Sequence, residues 1–143
     1  MTHFADLTGD PIQHVGWLEA GQPYSRGAAT PADVRLLERL VLRTWKPMFG
    51  SHGWHDCTLC GRKPADGPIM RNIDGRATLL GGSEIYLPDG EILYSAPTLI
   101  LHYIEVHEYQ PPEAFLRALR AVDPGAPEYH ARCGAIAKRA GLL

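Results

Sequence analysis

From residue 31 to about 45, Val34, Leu37, Leu40, Val41 and Thr44 recur at helical spacing, with Arg35, Glu38, Arg39 and Arg43 between them. This pattern predicts an amphipathic helix. Thr30 is placed to cap it, Pro31 fits its first position, and Asp33 complements its positive end. Ahead of it, residues 11–18 (Pro-Ile-Gln-His-Val-Gly-Trp-Leu) combine β-branched and aromatic positions with a proline, which predicts a short edge strand and then a loop over 19–29. Further on the period changes. Ala77–Leu80, Glu84–Leu87 and Ile92–Tyr94 read as three short strands separated by Gly81-Gly82 and Pro88-Asp89-Gly90, which predicts an antiparallel meander. Ser95-Ala96-Pro97 then opens a second helix carrying Leu99, Ile100, Tyr103, Ile104 and Val106 and ending near Tyr109. Pro111-Pro112 breaks it and begins a third helix with Phe115, Leu116, Leu119 and Val122. Pro127 begins a fourth that stops at Gly141.

One stretch follows neither period. Lys46-Pro47 ends the first helix, and residues 49–68 form a connection rich in Gly, His and Pro. A loop of about 20 residues without regular structure is unusual in a compact domain, so something other than an apolar face must hold it. It contains Cys57-Thr58-Leu59-Cys60, and a metal would do that work.

Composition narrows the setting. At 143 residues, 45% hydrophobic and 21% charged, the chain has the make-up of one soluble domain, here taken as residues 1–143. No apolar run approaches the roughly 20 residues needed to cross a bilayer, and the first ten residues lack the features of a signal peptide. Three cysteines, two of them in a CxxC pair, suit a reducing compartment, and a cytoplasmic location is expected. A formal charge of −2 gives no general attraction for polyanions, which disfavours nucleic acid as a partner.

Two thiolates three positions apart can grip one zinc ion, and His102 and His107, on the predicted second helix, supply two more ligands. The expected cofactor is therefore Zn2+, on Cys57, Cys60, His102 and His107. Five steps along an ideal helix put the two imidazoles roughly 140° apart, so the helix must tighten or fray near His107. The gap from Cys60 to His102 is far too long for a DNA-reading finger. A knuckle, hairpin strands and a ligand-bearing helix give an α+β fold, with a small antiparallel meander and about four helices around a zinc site, treble-clef-like at most.

Other readings of these residues have definite consequences. A thioredoxin-like redox pair should follow a strand and open a helix, whereas Cys57 sits in a loop. An open site of Cys57, Cys60 and His102 would result if His107 turned away, with Glu105 or Asp56 as the candidate base. The order of motifs that marks zinc deaminases does not occur, nor does a phosphate-binding Gly-rich loop. His55 is a candidate to support a ligand and His52 to add loop polarity, while Cys133 is expected as a buried thiol. Val15-Gly16-Trp17-Leu18, Tyr24, Trp45 and Trp54 could form a recognition surface but are expected mainly in the core. Arg132, Lys138 and Arg139 make a small basic patch.

Phe4-Ala5-Asp6-Leu7-Thr8, Val15-Gly16-Trp17-Leu18, His55-Asp56-Cys57-Thr58-Leu59-Cys60, and Tyr94 to Ile104 with His107 to Pro112, together resemble a family of small, uncharacterised bacterial proteins. The resemblance spans most of residues 4–122 and leaves 124–143 as an extension. It implies a shared architecture and shared metal ligands, and names no reaction. The expected function is a zinc-binding accessory or binding protein, with a structural metal and a protein or small molecule as partner. The alternative is a small hydrolase-like zinc enzyme.

Overall fold

The computed structural model describes residues 3–43, 56–61 and 64–142. Trp45, His52, Trp54 and His55, and the end of the predicted first helix at 44–45, lie outside these residues. The elements run β1 (Ile12–His14), α1 (Pro31–Leu42), a 3-10 turn (Pro64–Asp66), β2 (Ile69–Ile73), β3 (Arg76–Leu80), β4 (Glu84–Asp89), β5 (Ile92–Pro97), α2 (Ile100–His107), α3 (Glu113–Ala121) and α4 (Pro127–Arg139). The fold is α+β, with four helices and small sheets among the described residues.

The strands do not form one meander. β4 and β5 pair antiparallel, with Glu84 opposite Pro97 and Asp89 opposite Ile92, and β1 joins β5 in parallel as an edge strand. β3 instead pairs with β2 in a separate two-stranded sheet, Ile69 opposite Leu80 and Ile73 opposite Arg76. The physical cause lies at both ends of β3. Asp74 and Gly75 both have positive φ, the two-residue geometry that closes a tight hairpin with β2. Beyond β3, Gly81 (φ 101°) turns the chain away, and its amide donates to Thr98 Oγ1 at 2.9 Å. Gly81-Gly82 is therefore a change of sheet rather than a hairpin turn.

Ser95-Ala96-Pro97 likewise completes β5 instead of opening α2. Ser95 and Ala96 are held in the ladder opposite Tyr86 and Ile85, and the helix begins only at Ile100. α1 starts as expected, with Thr30 Oγ1 accepting from the Asp33 amide at 3.2 Å.

β4 is buried along Glu84–Pro88, because α3 and α4 pack across it. Leu87, Leu93, Phe115, Tyr129 and Ile136 fill this interior, each side chain contributing about 1.5–3 kcal/mol by leaving water. Two of its tyrosines are partnered locally. The Tyr86 hydroxyl donates to buried Glu84 at 2.6 Å, and Tyr129 donates to the Tyr86 carbonyl at 2.9 Å. Cys133 is buried, with its thiol pushed up to about 12 chiefly by burial. Val15, Trp17 and Leu18 are core residues too, and Trp17 Nε1 donates to the Ser95 carbonyl. α1 packs on α3, fastened by Arg120, whose Nε and Nη2 reach the two oxygens of buried Asp33 at 2.9 and 2.7 Å. No helix among the described residues is long and apolar enough to cross a membrane.

Candidate metal centre

The loop residues Cys57 and Cys60 meet the end of α2 across a gap of more than forty residues of sequence. Cys57 Sγ lies 3.3 Å from His107 Nε2, and Cys60 Sγ lies 3.0 Å from His102 Nε2 and 3.2 Å from His107 Nε2. All four ligand atoms fall within 4.8 Å of one another, an arrangement that could hold a metal ion. A tetrahedral zinc with Zn–S near 2.3 Å and Zn–N near 2.0 Å would separate sulfur from nitrogen by roughly 3.6 Å. An ion therefore fits with a small outward shift.

His107 is the last residue of α2, so the mismatch of angle with His102 falls where the helix ends. The Glu108 amide donates to the Tyr103 carbonyl, five residues back, and the Tyr109 amide donates to the same carbonyl at 3.1 Å. This last turn, from Tyr103 to Tyr109, is wider than an α turn. The helix loosens just beyond His107 rather than tightening. Glu108 takes a left-handed conformation (φ 55°, ψ 33°) and ends it.

A second segment braces this turn. The Gly27 amide donates to the Glu108 carbonyl, the Gln110 amide to the Ser25 carbonyl, and the Tyr24 hydroxyl to the His107 carbonyl at 3.0 Å. Arg26 covers the Tyr24 ring at 4.7 Å. On the knuckle side, Thr58 Oγ1 accepts from the Ala20 amide at 2.9 Å. Tyr24 and Thr58 carried no periodic signal and were missed as supports of the site. The Tyr24 loop does sit beside buried Tyr109, whose hydroxyl donates to Asp6 at 2.7 Å.

The electrostatics suit a cation. Burial, followed by the positive charge of Arg26, pulls the His107 imidazole below its ordinary range, leaving it neutral and able to ligate. Burial and then the hydrogen bond with Cys60 push the Cys57 thiol up to about 11. A low-pKa redox or nucleophilic cysteine would show the opposite shift. A coordinated cation removes this resistance, because it deprotonates a thiol outright. Tyr103, fully buried between the ligand histidines in sequence, has a hydroxyl with no hydrogen-bond partner among the described residues. The candidate bases stand apart from this set. Glu105 is held in an ion pair by Arg71, which also binds Glu38 at 3.1 Å, and Asp56 is exposed beside Cys57. In the distant basic patch, Arg132 donates to the Pro88 carbonyl at 3.3 Å.

Fold and site together define a small α+β domain whose two cysteines and two histidines form a potential metal centre. The chain belongs to the DUF7919 family, a domain of unknown function, whose model matches residues 2–120. The match includes all four cluster residues and stops before α4. No curated protein and no solved structure matches the chain.

Proposed function

We propose that the centre holds one zinc ion as a structural element, and that the protein is a cytoplasmic binding or accessory protein. The observation that carries this reading is the convergence of four protein ligand atoms within 4.8 Å. Four such ligands complete a tetrahedral shell and leave no position for a reacting water. The donor set, two sulfurs and two imidazoles, matches the softness of zinc. All three cysteines are unpaired, as in a reducing compartment. The engagement of Glu105 by Arg71 also weighs against the hydrolase reading, which needs a free base near the metal. The protein then acts through its surface on a protein or small-molecule partner rather than through chemistry at the metal.

The test is metal analysis by mass spectrometry of tag-free protein, paired with thermal melting before and after a strong chelator. About one zinc per chain with a large loss of stability on chelation is the expected result. Zinc that leaves without unfolding the protein would replace this reading with an open, catalytic site, and metal-free protein of full stability would overturn it.

A further inference from the structure

Away from the metal centre, α1 carries a run of arginines. Arg35, Arg39 and Arg43 recur every four residues, which places them on one helix face about 6 Å apart along the axis. Together with Arg76 of β3, Asp74 of the hairpin turn and Leu42, they line a groove of about 550 Å³. Four guanidiniums thus face one carboxylate in a chain whose formal charge is −2.

The carboxylate is already committed. Asp74 takes Arg35 through both oxygens at 2.9 Å, neutralising it and fixing it at the rim. Glu38 also touches Arg35, at 3.6 Å, but is turned toward Arg71. Arg39, Arg43 and Arg76 make no ion pair within 4 Å among the described residues, although Asp123 stands near the Arg43 guanidinium beside Gly125 and Arg39 acts on Asp74 through its charge. The negative end of α1 accounts for cations at Arg39 and Arg43. It does not account for Arg76, which comes from a different element and completes the concave cluster.

Guanidinium forks match phosphate oxygens in geometry and charge, and the volume falls in the range of small-molecule sites. Among the described residues that line the groove there is no aromatic ring, the stacking platform that single-stranded nucleic acid uses. We propose that this groove is a binding site for a compact small molecule bearing several phosphate groups, held by Arg39, Arg43 and Arg76. The assignment is independent of the metal.

Isothermal titration of the full chain, purified without chelator, with sodium tripolyphosphate tests it. The comparison is between wild type, the double variant Arg39→Gln/Arg76→Gln, and Arg132→Gln as a basic residue elsewhere. Tripolyphosphate also sequesters metals, so the readout is the difference between proteins that share the same cysteine and histidine cluster. Saturable binding that weakens about tenfold or more in the double variant and is unchanged in Arg132→Gln is expected, with ATP no tighter than tripolyphosphate. Equal binding by all three proteins, or none by wild type, would overturn the proposal, as would groove-dependent binding of a single-stranded oligonucleotide more tightly than tripolyphosphate. Should the double variant melt early, Arg43→Gln alone, at the exposed end of α1, gives the same comparison.

Discussion

Two regions of this molecule share one apolar core but differ in what is added to it. On one, β4, β5, α3 and α4 enclose Leu87, Leu93, Phe115, Tyr129 and Ile136, and apolar burial accounts for the packing. On the other, Cys57 shares that core with Tyr103 and Ile104 of α2, and the Cys57–Cys60 loop adds four potential ligand atoms, of which only the Cys57 residue is buried. Burial is graded and survives small losses, whereas a ligand shell needs every member. The contrast implies that the two regions respond to different perturbations.

Three substitutions sharpen it. His107→Ala should have the largest effect, bringing the melting temperature close to that of chelated wild type and leaving chelator with nothing further to remove. Structural zinc contributes on the order of 10 kcal/mol in small domains, so its loss outweighs any single core residue. Phe115→Ala should cost about 3–5 kcal/mol in denaturant unfolding, and the same amount with or without zinc in the buffer. A chelator-dependent cost would mean that the two regions do not respond independently.

Arg120→Gln, in the α1–α3 contact, should have the smallest effect, a modest loss of stability near neutral pH, because Arg120 is partly exposed to solvent. Hydrogen bonds from Arg120, above all, lower the Asp33 pKa below its usual value, against the effect of burial. Protonation therefore favours the unfolded chain. The Asp33 contribution is present above about pH 4 and is lost as pH falls through the lowered value. Melting measured between pH 5 and 2 should lose this stability in wild type and show a flatter profile in the variant.

Much of this was legible in the sequence. The cap at Thr30, the periodic face of α1 and the proline-led starts of α3 and α4 depend on local rules, and the structure reproduces them. The four cluster residues were legible from ligand type and spacing alone. Strand pairing was less so. Ile69–Ile73 followed by Asp74-Gly75 is a strong hairpin signal, and overlooking it assigned β3 to the wrong partner. Ser95-Ala96-Pro97 has the residues of a helix start, but pairing with β4 decides its conformation, and that contact is not local. The supports at Tyr24 and Thr58 depend on loops that only the folded chain brings together.

The widened last turn of α2 gives the site a property that resides in no ligand atom. In the metal-bound state proposed above, ion binding and the shape of residues 103–108 are thermodynamically linked, so each stabilises the other by the same free energy. A change at Glu108, which touches no sulfur or imidazole, would then alter metal affinity through its left-handed backbone alone. Glycine should ease that conformation and a β-branched residue should oppose it. The loop segment Ser25–Gly27, bonded to residues 108–110, shares in the same equilibrium. Metal occupancy is in this sense legible from the protein surface.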